Sequence, residues 1–361
     1  MFIDSKYMKT IIAECKRSVG KETSLPIVQN IHFMKMDNKT LVWTSDFETA
    51  VAHVINEQIE NSFTVKLKDF EKYTKNFKGD ISIQLDDDNN LTIEDEKKSY
   101  RIEELIDFDE VPFLNADVIN EILNPTYLLK DIDKELKYCN RVSCKQKPAF
   151  DGIFFSGNRI FSTDGFSILV CKTDTHLDEE YFVNKKFMKL ISSKKDVWLN
   201  LFNKEKEQDA GFTYKTQWAI AYANGFAYID VEHGSFNHPV IDSIIPTKFN
   251  HIENLDVEEV IEGIEGAFLK ENNLVIFRPD GIHWEHEEDR NSATNTYHYK
   301  MKFPFLEEEE HVAFDGNYVL NGLKNTDKNW TIKFVKNNFP VLFETDDEKM
   351  QFIIMPMHIN P

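Results

Sequence analysis

From Ser5 to Val19 the apolar residues Met8, Ile11, Ile12, Cys15 and Val19 fall on one face at helical spacing, so the chain opens on an amphipathic helix. Shorter apolar runs then predict strands over Ile27 to Met36, Leu41 to Ser45 and Thr49 to Ile55. A second helix, Lys68 to Phe77, gathers Phe70, Tyr73 and Phe77. Three more strands follow near Ile81 to Leu85, Leu91 to Glu94 and Tyr100 to Leu105, the first two separated by the turn-rich Asp86 to Asn90.

The same order recurs twice. A helix is predicted over Pro125 to Ser143, then strands at Gly152 to Phe155, Arg159 to Ser162 and Ser167 to Lys172. A helix over Lys185 to Ser193 leads to strands at Val197 to Phe202, Gln217 to Ala223 and Ala227 to Val231. The third round has helices at Val257 to Gly266 and Gly316 to Leu323, with strands through Val275, over Trp284 to Met301, and on to Met355. The second-helix aromatics Phe70, Phe187 and Tyr318 recur about every 120 residues, a period too long for a solenoid unit. The strand-end aromatics Trp43, Phe161 and Trp284 keep a similar spacing, and an acid stands three positions beyond each: Asp46, Asp164 and Glu287. The expectation is three similar α+β domains, 1–122, 123–246 and 247–361, each with two helices packed on antiparallel sheets.

Composition narrows the class without naming a chemistry. The 361 residues exceed one ordinary core, and 29 Phe favour half-buried strands over an all-helical chain. No apolar run reaches the roughly 18 residues of a membrane span, and Met1 to Thr10 lacks a signal-peptide pattern, so a cytoplasmic protein without a membrane partner is expected. The four cysteines, Cys15, Cys139, Cys144 and Cys171, show no zinc-type pairing and read as reduced, mostly buried thiols.

Charge changes the picture. A formal net charge of −20 argues against nucleic acid, unless the cations are gathered on one surface. They are gathered. Lys130, Lys134, Lys137, Arg141 and Lys145 step along one predicted helix face, opposite Leu128, Leu129, Ile132, Leu136 and Cys139. Lys6, Lys9, Lys16 and Arg17 do the same on the first helix, Lys68, Lys72 and Lys75 on the second, and Lys185, Lys186 and Lys189 on its counterpart. Four basic helix faces at matched positions point to sequence-independent contact with a phosphate backbone. No aromatics interleave these lysines, so stacking on single-stranded bases is not indicated.

No constellation supports an enzyme, a metal or a cofactor. His283 and His286 lie three apart, on opposite faces of a strand, and read as solvated polar residues. Thr163, Asp164 and Gly165 read as a tight turn in which Gly supplies positive φ.

Several segments resemble the bacterial sliding clamps, the beta subunits of DNA polymerase III. They are Thr23 to Ile27 with Asn30, Leu41 to Asp46, Phe161 to Gly165, Phe314 with Tyr318 to Leu320, and the ending Phe352 to Met357. The resemblance runs through the whole chain in order, most weakly in the middle of the third domain. It implies the DNA-clamp fold in a head-to-tail homodimeric ring, with helices lining the hole. It further implies a non-catalytic processivity factor that encircles double-stranded DNA, is opened by an ATP-dependent clamp loader and tethers the replicative DNA polymerase. By position, the partner-peptide pocket would comprise Phe150, Thr163, Gly165, Ile168, Pro239, Ile244, Tyr318, Phe339, Ile353, Met355, Pro356 and Met357. The ring interface would join Tyr100 and Ile102 to Phe268 and Leu269. Phe166 and Ser167 stand where the family commonly has a basic pair, and Ser243 replaces a basic residue near the pocket. These departures fit a divergent replication system, such as a phage-encoded one. The alternative is a clamp-like decoy that binds polymerase peptides without loading on DNA, which would have no need of basic helix faces.

Overall fold

The computed structural model describes the chain apart from residues 21–24, 87, 89, 104, 106–113, 131, 143–149, 208–212, 235–237, 268–272, 287–294, 305, 309, 325–328, 337–338 and 358–361. Among the described residues there are seven α-helices: α1 Ser5–Cys15, α2 Leu67–Thr74, α3 Ala116–Leu123, α4 Asp133–Val142, α5 Lys185–Ile191, α6 Val257–Ala267 and α7 Gly316–Leu323. None is long and apolar enough to cross a membrane. The chain divides into two compact units, one of Met1–Asp133 with Lys186–Ser235, the other of Lys134–Lys185 with Phe236–Pro361.

The first unit holds an eight-stranded antiparallel sheet. Its order is Phe63–Lys66, Asn30–Lys35, Thr40–Ser45, Thr49–Ile55, Phe226–Gly234, Thr213–Ala223, Trp198–Glu207 and Leu129–Lys130. Thr49–Ile55 and Phe226–Gly234, far apart in sequence, pair with Val51 opposite Tyr228. Across this join Leu41, Trp43, Ala52, Trp218, Ile220 and Ile229 form one core, covered by Val118 and Ile122 of α3. A second sheet, Phe2–Asp4, Asp80–Leu85, Leu91–Glu94 and Ser99–Ile102, ends on the last of these as an edge strand. Helix α1 starts where the Asp4 carboxylate accepts from the Tyr7 N–H at 2.8 Å, and it buries Met8, Ile11, Ile12 and Cys15.

Two expectations fail between residues 115 and 142. The helix predicted from Pro125 begins only at Asp133. Leu129 and Lys130 instead pair with Leu199 and Trp198, and Tyr127 packs edge-on against Trp198 and Tyr222. Satisfying an open strand edge outweighs the local helical spacing there. Helix α3 is absent from the predicted elements, although its signal is present: Asn115 accepts from the Asp117 N–H at 2.9 Å as an N-cap, and Val118 and Ile122 lie one turn apart.

In the second unit six strands run in the order Gly152–Thr163, Ser167–Asn184, Met350–Ile354, Val341–Thr345, Trp330–Phe334 and His251–Leu255. The two strands predicted over Gly152 to Ser162 are one, with register shifts around Gly157. Ser167–Asn184 continues 12 residues beyond the predicted Lys172, because the opposing arm pairs with it as far as Asn184 opposite Gly152. The second sheet is Asn295–Lys300, Gly281–His286, Leu274–Arg278 and Val312–Asp315, so the strand predicted over Trp284 to Met301 is two. Helix α6 lies close on this sheet because Gly266 has no Cβ, which would collide with the Tyr297 ring.

The repeat spacing corresponds to repeated local structure. In the first unit the Thr44 hydroxyl donates to the Cys15 carbonyl at 2.6 Å, and in the second the Ser162 hydroxyl donates to the Cys139 carbonyl at 2.5 Å. The following turns are closed alike. The Asp46 carboxylate accepts from the N–H groups of Glu48 and Thr49, and that of Asp164 from those of Phe166 and Ser167. Phe47 and Gly165 hold matching positive φ values of 69° and 91°.

His32 supplies a pH test of the first unit. Its ring is buried against Trp43 and lies 3.0 Å from the Thr64 hydroxyl, and burial pushes its pKa down from 6.5 to about 4. The unfolded chain therefore takes up a proton below about pH 6.5 that the folded chain refuses until about pH 4. Stability present above pH 6.5 should be lost as pH falls through that window, by up to about 3 kcal/mol. NMR titration should show His32 neutral at pH 5.5, and a His32→Gln variant should lose stability less steeply between pH 6.5 and 4. An unchanged slope would remove His32 from the acid response.

Candidate nucleic-acid and peptide interfaces

The cationic side chains do not all remain available to a ligand. Lys6, Lys16, Lys68, Lys72, Lys75, Lys134, Lys137 and Lys189 are exposed. Lys9 and Arg17 are half-buried; the Lys9 ammonium donates to the Phe77 carbonyl at 2.7 Å, just beyond the end of α2. Arg17 reaches Glu14 at 3.6 Å and the Ser193 hydroxyl at 3.2 Å. Lys16 pairs with Glu71 at 2.8 Å, but both side chains are well exposed, so the pair is weak and open to exchange for a phosphate.

Three expectations on this surface need correction. Lys185 is only 9% exposed, because the first turn of α5 is held down by its own N–H on the Asp151 carbonyl. Lys130 sits in a paired strand, not on the face of α4, and Lys145 lies outside the described residues. Arg141 is on α4, but its guanidinium donates to the Lys324 carbonyl at 2.8 Å and so closes the C-terminal end of α7. Lys194, just beyond α5, is likewise internal: it pairs with Glu14 at 2.6 Å beside the Tyr228 hydroxyl. Burial works to raise the Glu14 carboxyl, but hydrogen bonds from Lys194 and Tyr228 prevail and hold it below the usual range.

The remaining cations still form a pattern. Helices α1, α2, α4 and α5 present exposed lysines, whereas α6 presents Glu258, Glu259, Glu262 and Glu265. Two of these glutamates have local partners, Glu262 accepting from the Tyr299 hydroxyl at 3.1 Å and Glu265 pairing with Lys324.

All twelve expected peptide-pocket positions fall in the second unit, eleven of them in three clusters. Ile168 and Ile353 are opposite each other on paired strands and are buried with Phe154, Phe161, Ile241 and Leu342, while Phe150 packs at the margin. Thr163 is also buried: its hydroxyl donates to the Ser167 carbonyl at 2.7 Å and accepts from the Gly165 N–H at 3.0 Å. Thr163, Ile168 and Ile353 are thus buried within the fold. A second cluster centres on Phe166, which stacks on Tyr318 at 5.6 Å and accepts the Met355 N–H on its carbonyl at 2.9 Å. Pro356 and Met357 continue from it, the Met357 N–H donating to the Ala313 carbonyl at 2.8 Å. The third is the short turn Ile241–Ser243 with Pro239 and Ile244 at its ends, tied to the sheet by Arg159 on Asp242 at 2.5 Å. Phe339 stands apart in the turn before Val341–Thr345.

This region leaves several large apolar side chains exposed to solvent. Val240 is 72% exposed, Phe166 51%, Met357 48%, and Phe339 and Met355 42% each. Phe166 and Met355 are direct neighbours, and monomeric proteins seldom expose contiguous apolar side chains without a partner for them. Phe166 and Val240 are not among the expected pocket positions. In sequence Phe166 stands out only as a departure from the family pattern, and its stacking on Tyr318 is invisible there.

For the expected ring interface, Tyr100 and Ile102 do lie on the edge strand Ser99–Ile102. Ile102 is buried within its own unit at 9% exposure, and Tyr100 packs on Tyr73 and Phe77. Phe268 and Leu269 lie outside the described residues.

The architecture is α+β with antiparallel sheets and short helices, and it matches the fold of the bacterial beta clamps. The chain is similar over its whole length to the DNA polymerase III subunit beta of Pseudomonas aeruginosa, with a TM-score of 0.77 at 13% identity, covering 99% of this chain and 100% of that one. The DNA polymerase sliding clamp of Caulobacter crescentus superimposes with a TM-score of 0.76 at 13% identity, covering 99% of each chain. A Helicobacter pylori beta clamp bound to a DNA ligase peptide gives 0.71 at 14% identity, again with 99% of each chain covered. No family model matches the sequence, and no curated protein matches it. At such identities the likeness establishes the fold.

Proposed function

We propose that this chain is a sliding clamp: a non-catalytic protomer of a homodimeric ring that encloses duplex DNA and tethers a replicative polymerase. The observation that carries the reading is the coincidence of a whole-chain clamp fold with exposed lysines repeated along four helices of a −20 protein. Such basic helix faces attract a phosphate backbone without reading bases, whereas the acidic remainder repels it. In this reading the three domains 1–122, 123–246 and 247–361 repeat around the ring, and an ATP-dependent loader opens it. Partners bind by short peptides over Met355, Met357, Phe166 and Tyr318; the fold match to a Helicobacter pylori clamp bound to a DNA ligase peptide supports the peptide mode. Phe166 in place of a cation makes that surface more apolar and fits partners of a divergent, phage-type replication system.

The reading is tested by sedimentation and low-resolution imaging of the free protein, expected to give twice the chain mass and a wide central hole. A substitution at Ile102 would disturb its own sheet first, so the edge strand is tested by Tyr100→Glu. This variant should weaken dimerisation about ten- to a hundredfold, the effect of losing one buried interface side chain, while keeping its circular dichroism. A wild-type protein that stays monomeric at micromolar concentration would overturn the ring.

A further inference from the structure

We infer that Asp280, His283 and His298 form a binding site for a zinc-class divalent cation, independent of the clamp reading. His283 and His298 are direct cross-strand partners on Gly281–His286 and Asn295–Lys300, and their rings stack 4.1 Å apart at 16°. Ile282, Tyr297 and Tyr299 alternate with them and face α6, where the Gly263 and Gly266 positions meet their side chains. The histidines therefore project together from the opposite face of the sheet. Asp280 comes from the turn that precedes Gly281. The Nε2 of His283 lies 2.8 Å from Oδ1 of Asp280, and the Nε2 of His298 lies 3.4 Å from Oδ2.

One ligand atom from each residue can be chosen so that all three lie within 4.8 Å of one another. Donors bound at about 2.0–2.1 Å to one zinc ion sit about 2.8–3.4 Å apart, so small ring rotations complete the set. Two imidazoles and a carboxylate are a usual zinc ligand set, leaving a fourth position for water. The turn is built for close approach: Gly281 has φ 152°, and a Cβ there would strike the Tyr299 carbonyl and lie 3.0 Å from the His298 Nε2. Lys300 shares the face two positions beyond His298 and is the nearest opposing charge along that strand. Linear spacing offers His283 only His286, on the other face of its strand; the true partner lies across the strand pair.

A bound ion would fasten Asn295–Lys300, the edge strand of its sheet, to its neighbour and to the 279–281 turn. The test is titration of the full chain, stripped of metal, with Zn²⁺ alone, followed calorimetrically and by melting temperature. One Zn²⁺ per chain with micromolar or tighter affinity is expected, together with a rise in melting temperature, and millimolar Mg²⁺ should not compete. His298→Ala and His298→Gln should each weaken binding at least about tenfold and abolish the thermal shift, with circular dichroism unchanged. The exposed His298 side chain makes unfolding by either change unexpected; should one variant unfold, the other and Asp280→Asn carry the comparison. No binding to the wild type, or equal binding by the folded variants, would overturn the site, the latter assigning the ion to imidazoles elsewhere.

Discussion

Charge reversal at Lys134 and Lys137 should shorten the retention of this protein on circular DNA, and neutralising Glu258 and Glu259 should lengthen it. Both pairs are exposed on helices of the second unit, so neither change disturbs the core. Arg141 is left alone because its guanidinium closes the end of α7. For every phosphate no longer neutralised, the slope of log affinity against log salt should fall by about 0.9, and the double reversal should reduce low-salt affinity about tenfold or more. A parallel reversal at Lys68 and Lys72 tests the first unit in the same way. The asymmetry between the lysine-bearing α4 and the glutamate-bearing α6 predicts opposite signs for the two variants, with both effects fading as salt rises. Equal retention by all variants at about 50 mM salt would mean that these helices do not meet DNA. Weakened binding without loss of sliding would fit an interface bridged by water and exchanged along the backbone.

Binding of short apolar partner peptides should fall at least about tenfold on Met355→Ala combined with Phe166→Ala, about 1.4 kcal/mol or more. Both side chains are exposed, and the hydrogen bond between the two residues is made by their backbones, so truncation to Ala leaves that bond and the core intact. Met and aromatic side chains accommodate several related peptides, which suits a hub that exchanges partners. Deleting 355–361 should abolish binding, but it also removes the Met357 bond to Ala313, so the point variants are the cleaner measurement. Calorimetry with peptides from the cognate polymerase decides it: unchanged affinity in the double variant would move the peptide site elsewhere. A protein that binds these peptides yet never loads on DNA would be the decoy.

Helices with a strong apolar face, α1, α2, α6 and α7, are legible in the chain alone, because periodic burial needs only local spacing to be read. So are the Asp-centred turns after Thr44 and Ser162, since a carboxylate closing on its own next backbone N–H groups is a short-range event. The lysine faces are legible for the same reason, as is the 120-residue rhythm of their helices. Which cations stay free is settled by packing at a distance. Lys185 and Lys194 are drawn inward and Arg141 is spent on α7, through partners many residues away. Residues 129–130 become a strand because Trp198 and Leu199 offer an unpaired edge. The folded sheet likewise buries Thr163, Ile168 and Ile353 and brings Phe166 onto Tyr318. Asp280, His283 and His298 meet because a strand register aligns residues that no periodicity connects. Local pattern specifies what a segment can form; pairing between distant strands selects which side chains face each other, and sites are made there.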